Sequence, residues 1–290
     1  MPKLTVLSGN IGSGKSTLAQ KMVEESGNSI RLNRDSLRKM LFNSKWTRER
    51  EELVIKLEKE MAILAFKQGY NVLIDDLNLS EHTIDVWKNL PIGPRKFEII
   101  KIDTPLNECI ERDLKRKGIE LIGPGVITFN AFKYNLIKLE DKPIILVDVD
   151  GTLANINHRL KFVKDKPKDW YCFFLNAPDD TPNEIIVNWV NELKNDNIII
   201  ICSGRSTSFK DIKGDVILWE WLNKHQIPFD YLLMRQSNDK RPDDQTKKDL
   251  LALLPKEQIA FVIDDRLSVC KMWNQQGLKV YQVSENDGNY

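Results

Sequence analysis

Two aspartates stand one residue apart where an apolar stretch of the sequence ends. In ILVDVDGTLAN, residues 145–155, Asp148 and Asp150 follow a run with the composition of a buried strand, and Gly151 permits a tight turn after them. Carboxylates are common ligands of Mg²⁺ and can attack phosphorus as nucleophiles. The pair therefore indicates a site that removes phosphoryl groups.

A motif near the N-terminus is typical of nucleoside triphosphate binding. GNIGSGKS, residues 9–16, matches GxxxxGK[ST] and lies between a predicted strand, 3–8, and a predicted helix that begins near Lys15. The glycines let backbone N–H groups surround phosphate oxygens, while Lys15 reaches the outer phosphates and the Ser16 hydroxyl ligates Mg²⁺. The predicted nucleotide-binding residues of this loop are Gly9, Gly12, Ser13, Gly14, Lys15, Ser16 and Thr17.

Two pairs of polar residues could complete a kinase site. Asp35 and Arg38 share a face if a helix begins near them, where Asp35 could accept the proton of an attacking hydroxyl and Arg38 could hold an acceptor phosphate. A helix N-cap beside a surface arginine is the alternative. Arg112 and Arg116 lie on a predicted helix, 105–118, before a Gly/Pro-rich stretch that suits a mobile lid, or they form a solvated basic helix end.

The order of elements predicts an α/β protein with two domains. Predicted strands alternate with predicted helices in both halves, which indicates parallel sheets, and 290 residues suit two domains. A charged run, KLEDK, precedes Pro143, so we place the boundary near residue 141. The predicted domains are 1–140, a P-loop domain, and 141–290, a Rossmann-like domain whose segment 155–182 is rich in loops.

Composition excludes several classes of protein. The net charge of +1 is too small for nucleic-acid binding by bulk charge, so a polyanionic substrate must be held by local clusters. We find no apolar run of about 18 residues and no room for a signal peptide before the first strand, which predicts no membrane association. The four cysteines show no CxxC spacing, which favours a reduced, cytoplasmic protein.

DVDGT, residues 148–152, resembles the signature of haloacid-dehalogenase-like phosphatases. By this resemblance Asp148 is the nucleophile that forms an aspartyl-phosphate, and Asp150 is the general acid and base. Ser203 would bind phosphate and Lys247 would neutralise the charge of the reacting groups. The expected metal ligands are Ser16 in the first half and Asp148, Asp150, Asp264 and Asp265 in the second.

Together the two halves resemble the bacteriophage polynucleotide kinase–phosphatase family, over nearly the whole chain. The motifs that carry the resemblance are GSGKST (12–17), NRDxxR (33–38), IDDLNL (74–79), the helix with Arg112 and Arg116, DVDGTLA (148–154), Arg159, SGR (203–205), DDxxK (243–247) and DDR (264–266). The resemblance implies a 5′-hydroxyl kinase fused to a 3′-phosphatase with a small cap. ATP and Mg²⁺ are the implied cofactors, and DNA or RNA ends the implied substrates. It also implies a homo-tetramer, in the host cytoplasm if a phage encodes it.

The resemblance also assigns residue roles. Lys15 and Ser16 would bind the triphosphate, Asp35 would be the general base, Arg38 would grip the acceptor phosphate and Arg116 would clamp the donor phosphates. In the second half the predicted substrate-binding residues are Arg159, Ser203, Gly204, Arg205, Asp243 and Lys247, with Asp243 supporting the cluster around them.

The sequence departs from the family pattern after Arg159. The segment LKFVKDKPKDWYCFFLNAPDDTP is longer and more aromatic, and its Trp170, Tyr171, Phe173 and Phe174 either stack a base or form a local core. The choice between DNA and RNA, and between 3′-phosphate and 2′,3′-cyclic phosphate, therefore stays open. So do two rival functions: a kinase–phosphatase of a small nucleoside or sugar, and a nucleotide-dependent switch that binds a partner.

Overall fold

The computed structural model describes residues 1–93, 95–237 and 239–286. The chain forms two compact units, Met1–Ile122 and Gly123–Tyr290, and each is an α/β sandwich around a parallel sheet. The predicted α/β class with two domains and parallel sheets is confirmed. None of the helices in the described part of the chain combines the length and the apolar character that a membrane span requires.

The first unit contains a four-stranded parallel sheet in the order β2-β3-β1-β4. Its strands are β1 (Lys3–Ser8), β2 (Ser29–Leu32), β3 (Asn71–Ile74) and β4 (Lys96–Lys101). Its helices are α1 (Lys15–Ser26), α2 (Arg34–Phe42), α3 (Arg48–Lys67), α4 (Glu81–Lys88) and α5 (Leu106–Leu114). Leu4 and Val6 of β1 pack into one core cluster and Leu7 into another, so both faces of this central strand are covered.

The second unit contains a five-stranded parallel sheet in the order β11-β10-β5-β8-β9, and a two-stranded ribbon of β6 and β7. Its strands are β5 (Ile144–Val147), β6 (Ala154–Asn155), β7 (Thr181–Pro182), β8 (Ile198–Ser206), β9 (Tyr231–Arg235), β10 (Ile259–Arg266) and β11 (Val280–Asn286). Its helices are α6 (Pro124–Lys133), α7 (Asn157–Lys164), α8 (Trp170–Leu175), α9 (Glu184–Leu193), α10 (Gly214–Lys224), α11 (Asp243–Leu251) and α12 (Leu267–Gln275).

The central position of β5 in the second sheet explains its continuous apolar sequence. Ile145 and Val147 of β5 belong to one core cluster, whereas Ile144 and Leu146 belong to the cluster on the other face. Successive side chains of a strand point to opposite faces, so a strand between two helical layers needs apolar residues at every position. The catalytic candidates begin at Asp148, where this buried run ends.

The division into two compact units falls one helix before the predicted domain boundary near residue 141, which stays a prediction. The two units divide between Ile122 and Gly123, so residues 123–140 belong to the second unit and not to the first. Helix α6 packs against β9 and α10 of the second unit, and Phe132 joins its core. Pro143 and the charged run before it mark a loop. They do not indicate which unit α6 packs against, because that depends on tertiary contacts.

Two further expectations differ from the structure. The segment 155–182 is not mainly loop, since α7, α8 and β7 lie within it. The predicted helix 105–118 ends earlier, because α5 stops at Leu114. Arg116 consequently lies in the connection after the helix, whereas Arg112 lies in its last turn.

The N-terminus of α6 is anchored by a buried carboxylate. Asp215 is fully buried, and its Oδ2 accepts a hydrogen bond from the Gly125 backbone N–H at 3.1 Å. A side chain at Gly123 would collide with this carboxylate, and Gly123 has φ +116° in addition, so glycine is required there. Burial raises the pKa of Asp215 to about 6, although the backbone N–H groups of Val126 and Gly125 and the charge of Lys213 oppose that shift.

We expect Asp215 to make the second unit less stable as the pH rises from 4 to 7. Its folded-state pKa lies above the ordinary value, so the folded chain keeps a proton in this window that the unfolded chain has released. Relative to Asp215→Asn, which does not titrate, the wild type should lose on the order of 2 kcal/mol of unfolding free energy between these pH values.

Urea unfolding followed by tryptophan fluorescence at several pH values measures this difference. The matched control is Asp196→Asn, an exposed acid of the same unit, whose profile should run parallel to that of the wild type. A wild-type profile parallel to that of Asp215→Asn would contradict the prediction.

Candidate active sites

The predicted nucleophile and the predicted metal ligands meet at the carboxyl ends of two adjacent strands. The backbone N–H of Asp148 donates to the carbonyl of Ile263 at 2.9 Å, which aligns the end of β5 with the end of β10. Asp148, Asp264 and Asp265 are all buried, and each offers a carboxylate oxygen within 4.8 Å of those of the other two. The structure thus brings together three of the acids that the sequence nominated.

Lys247 joins two of these acids. Its Nζ lies 2.6 Å from Asp148 Oδ1 and 2.7 Å from Asp264 Oδ2, and the side chain is only 2% exposed. Burial disfavours the ammonium form, but Asp148 and Asp264 more than offset that effect and raise the pKa of Lys247 well above its ordinary value. Burial also raises the pKa of Asp148, and Lys247 opposes this rise.

The acidic cluster fits a divalent cation. Three carboxylates lie together and one ammonium contacts two of them, so a full complement of ionised groups leaves negative charge in a buried site, where unbalanced charge is costly. Carboxylate oxygens are the preferred ligands of hard cations such as Mg²⁺. Gly151, with φ +87°, lies so close to Asp265 that any side chain at this position would collide with the carboxylate.

Asp150 lies in a second buried network instead of the acidic cluster. Its Oδ1 accepts hydrogen bonds from Arg159 and from Arg205, whose Nε lies 3.0 Å away. Both guanidiniums also bind Asp180, which accepts from Arg159 at 2.6 and 2.8 Å and from Arg205 at 2.6 Å. Four charged groups therefore form one network, and two of them, Asp150 and Arg205, line the same cleft as Asp148 and Asp264.

The network keeps the side chain of Asp150 ionised. Burial alone would raise its pKa, but the guanidiniums of Arg159 and Arg205 more than offset burial and hold the pKa of Asp150 well below its usual range. The side chain is a carboxylate committed to two arginines, and the acids that could share a cation are Asp148, Asp264 and Asp265. The expectation that the Asp150 side chain ligates the metal is therefore not supported by this geometry.

Asp243 is held by two arginines and lies against the SGR motif. Its carboxylate accepts from Arg235, and from Arg266 Nη1 at 2.6 Å. A Cβ at Gly204 would lie 2.5 Å from Asp243 Oδ1, so this close approach requires glycine. Ser203 is buried, and its Oγ accepts from the backbone N–H of Arg205 at 3.1 Å.

The N-terminal loop adopts the geometry that phosphate binding requires. Gly12 and Gly14 have φ +78° and +95°, and a side chain at Gly12 would meet the carbonyl of Cys109. Lys15 Nζ donates to the carbonyls of Gly9 and Asn10 at 2.9 and 2.7 Å, and burial lowers the pKa of this amine to about 8. The loop, its buried lysine and the helix that follows therefore fit a nucleoside triphosphate. Ser16 and Thr17 are exposed in the first turn of α1.

Of the two predicted donor-side arginines, Arg112 hydrogen-bonds to this loop. Arg112 Nη1 donates to the carbonyl of Gly12 at 3.3 Å and lies 3.4 Å from where a Cβ of Gly14 would be. Arg116 instead pairs with the buried Asp113, at 3.2 Å. The arrangement places Arg112 where it could reach a bound phosphate, whereas Arg116 would have to leave Asp113 to do so.

The predicted acceptor residues lie together at the start of α2. Asn33, and not Asp35, caps this helix, because its side chain accepts from the Ser36 backbone N–H at 2.8 Å. Asp35 pairs with Arg38, and the Asp35 side chain is 85% exposed. Arg38 also binds Glu51 of α3 through Nε at 2.9 Å and Nη2 at 2.8 Å.

A buried triad beneath these residues was not anticipated. Arg34 Nε lies 2.7 Å from Glu58 Oε2 and 3.1 Å from Asp76 Oδ2, and Glu58 is fully buried. Burial and the neighbouring Asp76 raise the pKa of Glu58 to about 8, against the opposing effect of Arg34. The triad ties α2 and α3 to the end of β3, so it fixes the helix that presents Asp35 and Arg38.

Asp180, Arg235, Glu51 and Glu58 are the functional neighbours that sequence analysis missed. Asp180 lies in the aromatic segment, where Asp179 and Asp180 form an inconspicuous acidic pair. One signal was available: Arg159 and Arg205 were both placed at a phosphate site, and two buried guanidiniums require more than one carboxylate.

The folds and sites define two kinds of domain. The first unit is a P-loop nucleotide-binding domain, and the second has the sheet and the carboxylates of a haloacid-dehalogenase-like phosphatase. A family model described as the polynucleotide kinase PNKP phosphatase domain matches residues 142–288, and a model described as an AAA domain matches residues 4–122. The chain belongs to the polynucleotide kinase family that carries the PNKP phosphatase domain, and the resemblance seen in the sequence is confirmed.

Two similar proteins match nearly the whole chain. A candidate bifunctional polynucleotide kinase/RNA ligase of Autographa californica nuclear polyhedrosis virus is 28% identical over 97% of this chain, which spans 42% of the length of that relative. A chain in the structure of the Pnkp1/Rnl/Hen1 RNA repair complex is 27% identical and has a TM-score of 0.41, with 99% of this chain and 97% of that chain covered.

We expect Asp180 to be needed for the position of the two arginines. Asp180→Asn keeps the shape of the side chain but removes the charge that holds Arg159 and Arg205. Loss of one partner of a buried charged pair should lower phosphatase kcat/KM by about 30- to 1000-fold, mainly through KM, since Arg205 would hold the phosphate and Arg159 would keep Asp150 in place beside it.

Steady-state kinetics on a phosphate ester tests this expectation, with Asp179→Asn, an exposed neighbour, as the matched control. Kinase activity of the same preparation should be unchanged. If Asp180→Asn lowered activity only in proportion to the loss of folded protein, Asp180 would not position the arginines.

Proposed function

We propose that this protein repairs nucleic-acid ends, with a 5′-hydroxyl kinase in the first unit and a 3′-phosphatase in the second. The observation that carries the proposal is the buried set of Asp148, Lys247 and Asp264, in a domain of the PNKP phosphatase family. Some nucleases leave a 3′-phosphate and a 5′-hydroxyl, and a ligase needs the opposite termini. One chain with both activities restores both ends for ligation.

In the phosphatase, Asp148 is the nucleophile and forms an aspartyl-phosphate. Lys247 holds the Asp148 carboxylate at 2.6 Å and offsets the charge that phosphate brings. Arg205 lines the cleft, and its Nη1 is buried without an acceptor among the described residues, so a substrate phosphate would satisfy it. By the family resemblance, Asp150 exchanges the proton with the leaving oxygen and then with water. It must first release Arg159 and Arg205, because these guanidiniums hold it as a carboxylate. Ser203 and Gly204 contribute to the phosphate pocket.

Mg²⁺ would be held by Asp148, Asp264 and Asp265, and when bound it would neutralise phosphate charge. Asp243 is a supporting residue: it fixes Arg235 and Arg266 at the edge of the same cleft. Arg159 is buried and forms ion pairs with Asp150 and Asp180, and Arg205 pairs with the same two acids.

In the kinase, the loop from Gly9 to Thr17 cradles the phosphates of ATP, and Ser16 is placed to ligate Mg²⁺. Lys15 would exchange its contacts with the carbonyls of Gly9 and Asn10 for phosphate oxygens. Arg112 approaches from α5, and Arg116 is the second candidate for the donor phosphates. Asp35 accepts the proton of the 5′-hydroxyl while Arg38 grips the adjacent phosphate.

Several features rest on the family resemblance. They are ATP as the donor, Mg²⁺ as the metal, activity on DNA or RNA ends, a homo-tetrameric assembly, and a cytoplasmic location in the host of a phage.

The decisive experiment uses one oligonucleotide with a 5′-hydroxyl and a 3′-phosphate, incubated with the protein, ATP and Mg²⁺. Both ends should change. Asp35→Ala should abolish 5′ phosphorylation and spare 3′ dephosphorylation, and Asp148→Ala should have the reverse effect, because the two sites lie in different units. A free nucleoside phosphorylated as efficiently as the oligonucleotide would favour a small-molecule kinase, and nucleotide-dependent partner capture without phosphoryl transfer would favour a switch.

We expect Arg38→Ala to weaken the use of the oligonucleotide far more than the binding of ATP. A lost bidentate, charge-assisted contact to phosphate corresponds to about 30- to 1000-fold in kcat/KM for the acceptor. Arg38→Lys should recover only part of this, because an ammonium cannot present the same fork.

Initial rates at varied oligonucleotide and ATP concentrations separate the two effects. Arg48→Ala, on the exposed start of α3, is the matched control and should leave both KM values unchanged. An unchanged acceptor KM and kcat in Arg38→Ala would assign Arg38 a structural role with Glu51.

A further inference from the structure

The catalytic cleft of the second unit has an aromatic wall that the chemistry described above does not use. A cavity of about 590 Å³ reaches from Asp148 and Arg205 to the rings of Trp170, Phe174 and Phe209. The aromatic segment therefore shares one space with the residues proposed to hold the phosphate. A ligand whose phosphate lies on the arginines would extend along these rings.

The aromatic residues are not equivalent. Phe173 is 3% exposed, belongs to the core, and lies beneath the Arg159 guanidinium, which is 4.1 Å from its ring centre. Trp170 is 40% exposed, although it lines the cavity. The expectation of a local core therefore describes Phe173 but not Trp170.

The indole of Trp170 is supported from behind. Its ring is stacked on Phe174 with an interplanar angle of 26° and meets the edge of Phe173 at 5.6 Å. Phe174 in turn contacts Phe209, with ring centres 5.3 Å apart. Packing of this kind supports the indole on two rings as a platform, and 40% of Trp170 remains exposed. The Lys168 ammonium lies over the ring, 5.7 Å from its centre, and a stacking base would have to displace it.

The occupant of the platform follows from the rest of the cleft. A phosphate monoester bound at Asp148 and Arg205 leaves its organic group next to Trp170, and a flat apolar surface favours a planar ring. A sugar alone offers no such ring, whereas the terminal nucleoside of a polynucleotide offers one beside its 3′-phosphate. Stacking does not depend on base identity, since every base has a π face.

We propose that Trp170 stacks the base of the nucleotide that carries the 3′-phosphate, so that the phosphatase selects ends with an intact terminal base. The inference rests on the proposed 3′-phosphatase function and names its specificity. It separates a normal 3′-phosphate end from an end that has lost its base.

The test compares two single-stranded DNA oligonucleotides with the same 3′-phosphate. One ends in a normal nucleotide and the other ends in a tetrahydrofuran abasic residue. The wild type should use the normal end with a kcat/KM about 10- to 100-fold higher, which is the range that stacking of one base supports. Trp170→Ala should lower kcat/KM for the normal end to the value of the abasic end and leave the abasic end unchanged. Trp170→Phe should retain most of the preference.

Tyr171→Ala is the matched control, since Tyr171 lies on the same helix but hydrogen-bonds Asp211 at 3.3 Å and is not among the residues that line the cleft. It should retain the preference for the normal end. Equal use of the two ends by the wild type would overturn the stacking role and leave the proposed phosphatase intact. An equal loss on both ends in Trp170→Ala would also overturn the stacking role. Release of phosphate from neither end by the wild type would overturn the phosphatase proposal together with this inference.

Discussion

One buried ammonium holds the phosphatase site together. Lys247 contacts Asp148 at the end of β5 and Asp264 on β10, and all three groups are almost completely removed from solvent. Two carboxylates at the ends of neighbouring strands repel each other strongly at the low dielectric of a protein interior. Removal of one partner from such a buried set typically costs about 3–5 kcal/mol, because the remaining charge is left without compensation. The ends of the two strands can lie side by side in this form because α11 delivers a lysine between them.

The same crowding explains which residues near the site must be glycine. Asp265 approaches Gly151, and Asp243 approaches Gly204, more closely than any Cβ permits. These glycines are needed for the positions of the two carboxylates, because each carboxylate occupies the space that a side chain at the glycine would fill. The Asp150 network is crowded in the same way, because two arginines pack against Asp150 and Asp180 and leave almost no room for solvent.

Sequence patterns reveal the elements of this protein better than they reveal the partners of those elements. The bounds of β1 agree with the prediction, and β5 ends directly before Asp148, because apolar runs closed by polar or glycine residues depend on local composition. Asp148 was nominated because it follows such a run, whereas Lys247, Asp264 and Asp265 were nominated by the resemblance of their motifs to those of the phosphatase family. Asp180 could not be found in this way, since its role depends on distant Arg159 and Arg205. The position of α6 in the second unit likewise depends on tertiary packing and not on the Pro143 signal.

The two candidate sites differ in how many of their reacting side chains the fold already buries. The phosphatase acids are buried, and the cleft above them is shaped before any substrate arrives. In the first unit Lys15 is buried at the donor end, but Asp35 at the acceptor end is 85% exposed and Arg38 is neutralised by Glu51. An exposed carboxylate is a weak base in water and gains strength only when its surroundings are dried. Under the proposed role of Asp35 as the base, the acceptor must therefore cover this carboxylate itself. A polynucleotide strand, which extends beyond the reacting hydroxyl and can compete with Glu51 for Arg38, is better suited to do so than a free nucleoside, which would leave most of this surface in water.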